Sequence, residues 1–123
     1  MPFTNKLVVT PLGDGKRWRL MQPLRYRYDE LGIVITVPAG FVTDFASVPR
    51  GLWNIVPRWG RHGEAAVLHD YLYDIGVYTR KECDKIFLVA MKECRAKKAR
   101  IIWAGVRMGG WLAWRNHRKK DAL

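Results

Sequence analysis

The clearest pattern in the chain is strict alternation. From Leu24 to Tyr28, the residues Leu24, Tyr26 and Tyr28 fall on one side and Arg25 and Arg27 on the other, the period of a half-buried β-strand. Arg17 to Met21 alternates around Trp18 and Leu20, Leu7 to Thr10 is a short strand candidate, and Ile33 to Val37 is β-branched. Turn chemistry separates these runs. Pro11-Leu12-Gly13-Asp14-Gly15 offers two glycines able to take positive φ, and Asp29-Glu30-Leu31-Gly32 forms a second turn. The first forty residues therefore predict a small antiparallel β-meander.

After Phe41 the period changes. Ser47 can cap a short helix running through Leu52 and Trp53, with Pro49 in its first turn. Arg61 to Asp74 places Ala65, Ala66, Leu68, Leu72 and Tyr73 at helical spacing, and Gly76 ends the run. Thr79-Arg80-Lys81-Glu82 is a capping box opening a helix to about Arg95, with the stripe Cys83, Ile86, Phe87, Ala90, Met91 and Cys94. A last helix, about Ala99 to Arg115, carries Ile102, Trp103, Val106, Met108, Trp111, Leu112 and Trp114. The expected class is α+β: a small N-terminal sheet followed by three to four packed helices.

Length and composition narrow the reading. At 123 residues and 14.3 kDa the chain is expected to be one domain, β-rich over 1–42 and helical over 43–123. With 49% hydrophobic and 27% charged residues it is not a disordered chain. No run of apolar residues is long enough for a membrane span, and the start has no apolar signal core. Cys83 and Cys94 would lie roughly 16 Å apart on one helix, too far for a disulfide. A reduced, cytoplasmic place of synthesis is expected.

Charge adds a partner. The net charge is +11, and residues 92–123 hold ten bases against two acids. A basic end of this kind suits an anionic membrane surface or nucleic acid, or else is a solvated helix face. Gly105 and Gly109 form a Gly-x-x-x-Gly pair between basic flanks. One reading is an interfacial segment, with tryptophans at headgroup level and Lys and Arg on phosphates. The other is a helix packed closely through its glycines, with Arg107 facing water. Phosphate contacts by Lys97, Lys98, Arg100 and Arg115 to Lys120 would make nucleic-acid binding salt-sensitive and independent of sequence.

Three polar residues carry candidate chemistry. His69 lies on the inward side of its helix, and Asp84 lies beside the inward stripe of the next. A buried carboxylate needs a partner, and an imidazole N–H supplies one. Such a pair would hold the ring as a general base oriented by an acid. Asp44 sits in an otherwise uncharged loop, Phe41-Val42-Thr43-Asp44-Phe45-Ala46-Ser47-Val48-Pro49. Asp70 follows His69 directly and can face another neighbour. If Asp44 and Asp70 converge, their carboxylates suit a hard cation, calcium before zinc.

Two resemblances attach to these residues. Gly40-Phe41-Val42-Thr43-Asp44-Phe45-Ala46-Ser47-Val48-Pro49-Arg50, Ala65-Ala66-Val67-Leu68-His69-Asp70-Tyr71-Leu72-Tyr73 and Asp84-Lys85-Ile86-Phe87 resemble a family of small bacteriophage and prophage proteins known only as a domain of unknown function. That resemblance runs from about Gly32 to Trp114 and implies a phage-associated origin. His69-Asp70-Tyr71-Leu72-Tyr73 also resembles the His-Asp-x-x-Tyr helix of secreted and prokaryotic phospholipases A2. This second resemblance implies His69 as base, Asp84 as its orienting acid, and Asp44 and Asp70 as calcium ligands in a calcium-dependent ester hydrolase acting on membrane lipids. Calcium would then stabilise the oxyanion formed when water attacks the ester. The phospholipases have disulfides and a glycine-rich calcium loop; here no cysteine stands beside the motif, and Phe45-Ala46-Ser47 holds no glycine.

Other readings of the same residues stay open. His69 and Asp84 can be a satisfied core pair that sets helix register. Asp44 can cap a turn, Ser47 can be only an N-cap, and Asp70 can pair with a surface arginine. A zinc site from His62, His69 and Asp70 has no familiar ligand rhythm. Trp53 and Trp59 are core or pocket walls, or line an acyl-chain entrance. The competing function is a non-catalytic phage protein, a tail or virion component or host-factor binder, using the basic C-terminal helix.

Overall fold

The computed structural model describes residues 3–14, 17–43, 63–93 and 98–121. The expected helix after Ser47 lies outside the described residues, as do Asp44, Trp53, Trp59, His62 and Cys94. The class is α+β: among the described residues, antiparallel strands come first and four helices follow them. The chain falls into two compact units, Met1–Asp44 and Phe45–Leu123.

The described residues of the first unit form five strands: β1 (Val9–Pro11), β2 (Trp18–Leu20), β3 (Leu24–Tyr28), β4 (Ile33–Val37) and β5 (Val42–Thr43). β3 and β4 form a hairpin in the register Leu24 to Val37 and Tyr28 to Ile33. Gly32, at φ 63°, makes its turn, and its N–H donates to the Asp29 carbonyl. The alternation in sequence becomes alternation in burial: Leu24, Tyr26, Tyr28, Ile35 and Val37 are buried, while Arg25, Arg27, Val34 and Thr36 are exposed. Phe3 bridges to Tyr26 and packs on its ring.

The expected meander is corrected in one respect. β2 pairs with β1 and with β5, not with β3, so the strands make a three-stranded sheet β1-β2-β5 and a separate hairpin. β5 is two residues long and lies where the alternation has already ended. Such a strand is specified by its partner's unpaired edge, not by its own pattern.

The second unit holds α1 (Gly63–Ile75), α2 (Arg80–Glu93), α3 (Ala99–Gly109) and α4 (Trp111–Asp121). α1 packs against α2 and α4, and α3 packs against α2. α1 is buried almost all round, with every residue from Ala65 to Asp70 inside. Apolar or small residues on all sides mark a central helix, which a single amphipathic stripe does not describe. Gly76 ends α1 at φ 65°, the left-handed turn that glycine tolerates best. Arg118 of α4 caps the same end, donating to the carbonyls of Tyr73 at 2.8 Å and Asp74 at 2.9 Å. α2 opens on the expected capping box: the Glu82 N–H donates to Thr79 Oγ1 at 3.1 Å, and the Thr79 N–H to Glu82 Oε1 at 3.0 Å.

The predicted last helix is two. The break is at Gly110, which is buried under α1. A Cβ there would stand 2.9 Å from Tyr73 Oη and 2.5 Å from the Val106 carbonyl oxygen. The close approach therefore uses Gly110; Gly109, of the Gly-x-x-x-Gly pair, is exposed. Among the described residues no helix is long and apolar enough to cross a membrane.

Candidate active site

Asp84 projects from the first turns of α2 into the middle of the helical unit, with no exposed surface. His69 and Tyr73 lie one turn apart on α1, so both reach the same carboxylate oxygen. His69 Nε2 is 2.7 Å from Asp84 Oδ1, and the Tyr73 hydroxyl donates to that oxygen at 2.6 Å. The other oxygen takes cations. Arg107 of α3 donates to Asp84 Oδ2 at 2.8 Å, and Arg80, one turn before Asp84, reaches it at 3.5 Å. Arg80 also donates to the carbonyls of Val106 at 3.4 Å and Arg107 at 3.1 Å, satisfying the end of α3. One carboxylate thus ties three helices together.

The electrostatics follow from burial and from these partners. Burial alone would raise the Asp84 pKa, but the hydrogen bonds from His69, Tyr73 and Arg107 and the attraction of the imidazole hold it below the ordinary carboxylate value. Burial pushes the His69 pKa down, and Arg80 adds to this, against the opposing pull of Asp84. Burial and the Asp84 charge push the Tyr73 phenol up, so it stays a donor. An ionised carboxylate only accepts, so the His69 nitrogen facing it carries the proton. In that tautomer Nδ1 is the nitrogen able to take up a proton.

The ring packs against Tyr73 and Phe87, at 4.2 and 4.5 Å between centroids. It has no exposed surface. Arg107 and Arg80 also offset the Asp84 charge that would stabilise an imidazolium.

The structure brings together two of the four expected site residues, His69 and Asp84. Asp70 is buried on the following position of α1 and turns toward α4, where its Oδ1 lies 3.9 Å from His117 Nε2. His117 Nδ1 is 3.4 Å from Asp74 Oδ1. Asp44, the second expected calcium ligand, lies outside the described residues. Among the described residues no group of three or more His, Cys, Asp or Glu side chains is placed to hold a metal ion.

Sequence reasoning missed Arg107, which one of the two readings of the last helix turns toward water. Its side chain is 31% exposed and ion-paired to Asp84. No local signal links residues 23 positions apart. Arg80 did carry a signal, the i,i+4 spacing to Asp84 on one helix face. Tyr73 sits at the same spacing from His69.

Neither the curated proteins nor the solved structures include a match to this chain. A family model, described as Protein of unknown function (DUF1353), matches residues 18–106, from β2 to the last turn of α3. The match spans the His69–Asp84 pair and Arg80, and it takes in most of the chain: the protein belongs to the DUF1353 family.

Proposed function

We propose that the protein is an ester hydrolase of phospholipase A2 type, acting on membrane lipids, with His69 as its base. One observation carries this reading: His69 Nε2 is held at 2.7 Å by a buried, ionised Asp84 whose same oxygen is fixed by Tyr73. The pair sets the tautomer, so Nδ1 takes a proton from water as the water attacks an ester carbonyl. Asp84 positions the ring and carries part of the charge that forms on it.

Calcium dependence belongs to the same proposal, with Asp44 and Asp70 as ligands. Carboxylate oxygens suit that cation, and the described residues supply Asp70 alone. When bound, calcium would supply positive charge against the ester oxyanion. The phage setting, with synthesis in a bacterial cytoplasm, rests on the sequence resemblance.

A second reading has its own observation. His69 and Asp84 are wholly buried, and Arg107 and Arg80 neutralise the carboxylate. On this reading the cluster is a structural tie between helices and the protein is a non-catalytic phage component. Fatty-acid release from anionic vesicles, with calcium and with chelator, separates the two. Calcium-dependent release that is lost in a folded His69→Ala variant supports the hydrolase. No release by the wild type across lipids, or release unchanged by His69→Ala, makes the cluster structural.

A further inference from the structure

α3 and α4 present a face that the buried cluster does not use. Burial keeps one helical phase across the break at Gly110: Ile102, Val106 and Gly110 are buried and Trp114 and His117 half-buried, while Ile101, Met108, Trp111, Leu112 and Arg115 are exposed. Residues can therefore be counted across it at about 100° each. Ile102, Val106 and Gly110 point inward, Arg107 holds Asp84, and Arg118 caps α1. The opposite side carries Ile101, Ala104, Met108, Trp111 and Leu112, at steps of three, four and seven.

That apolar stripe is open. Ile101 is 58% exposed, Met108 81%, Trp111 51% and Leu112 46%. Cations stand at both ends: Lys98 and Arg100 before it, Arg115 and Lys119 after it, all exposed. Arg115 lies over the Trp111 ring, 5.1 Å from its centroid. No acid occurs between Glu93 and Asp121.

We propose that this face docks on an anionic lipid bilayer, with Met108, Trp111 and Leu112 entering the headgroup boundary and Lys98, Arg100, Arg115 and Lys119 meeting lipid phosphates. Charge complementarity selects the occupant. Both ends call for anions while the centre calls for an apolar phase, and an anionic bilayer offers both at one surface. Nucleic acid offers phosphate but no apolar phase for Met108. A second copy would set this cationic face against itself in a chain already at +11. The proposal stands apart from the hydrolase reading, because it does not involve His69.

Co-sedimentation with phosphatidylcholine vesicles, with and without phosphatidylglycerol, tests it. Binding to the anionic vesicles is expected to be roughly tenfold tighter or more, with a blue shift in tryptophan emission. Met108→Glu/Leu112→Glu, at two exposed positions, is expected to melt like the wild type and to lose roughly tenfold or more in binding. Arg115→Glu/Lys119→Glu removes the preference for anionic lipid. Absent binding, equal binding to both vesicles, or binding unchanged by Met108→Glu/Leu112→Glu overturns the proposal. Duplex DNA bound more tightly than the vesicles, with no effect of that apolar variant, assigns the face to nucleic acid instead. A dimer that the variant dissociates assigns it to a second copy.

Discussion

Replacing Asp84 by Asn keeps the side chain's shape and removes its charge. In the wild type Asp84 accepts from Tyr73 at 2.6 Å, His69 at 2.7 Å and Arg107 at 2.8 Å, with Arg80 at 3.5 Å. An amide accepts on one atom and donates on the other. If its oxygen keeps Tyr73 and His69, its NH₂ meets the Arg107 guanidinium, donor against donor; if it flips, the conflict moves to Tyr73. Removing one partner of a fully buried ion pair costs about 3–5 kcal/mol. The arginines here reach water, with side chains 21% and 31% exposed, so part of that cost is relieved. What remains is dominated by the charged hydrogen bonds, about 1.5–3 kcal/mol each but not additive. Asp84→Asn is therefore expected to cost about 2–4 kcal/mol in urea unfolding followed by far-UV circular dichroism, and to lower Tm by roughly 10 °C. A double-mutant cycle with Arg107→Gln should give a coupling of about 1 kcal/mol. A loss below about 1 kcal/mol for Asp84→Asn, or a coupling of zero, would refute the view that this carboxylate holds the three helices together.

Two further outcomes follow from the same geometry. The folded-state pKa values of His69 and Asp84 are both depressed, so on acidification the unfolded chain binds protons first. Stability should be full above about pH 6.5 and fall as pH drops, first through His69 and then, below about pH 4, through Asp84. Urea midpoints across this range check it: His69→Gln should flatten the upper limb, and an unchanged slope would show that His69 does not set it. Gly110→Ala places a Cβ 2.9 Å from Tyr73 Oη and should cost about 1–3 kcal/mol by overpacking. A variant as stable as the wild type would mean that α4 can move off α1 without loss.

How far the site can be read from sequence depends on the range of each interaction. The β3–β4 hairpin was legible because alternation and a glycine turn are local, and its bounds Leu24–Tyr28 and Ile33–Val37 appear in the structure unchanged. The Thr79–Glu82 box and the Gly76 stop were legible for the same reason: each is made within a few residues. His69 and Asp84 stood out as polar groups on apolar stripes, and a buried charge without a partner is too costly to leave alone. β5 was not legible, because the edge of β2 specifies it and not its own two residues.

The identity of Asp84's other partners was decided only by tertiary packing. Arg107 and Asp84 are far apart in sequence, and no pattern in α3 distinguishes an arginine that will neutralise a buried carboxylate from one that will face water. The same applies to Arg118, which leaves the basic surface to cap α1. Sequence alone determined the β3–β4 hairpin, α1, α2 and the excess of positive charge, and it singled out His69 and Asp84 as candidate partners, because helix and strand periods and the cost of burying polar groups act locally. Which of those charges turn inward was settled by the packing of α1, α2, α3 and α4, because an arginine's role depends on what lies within reach of its guanidinium once the helices have met.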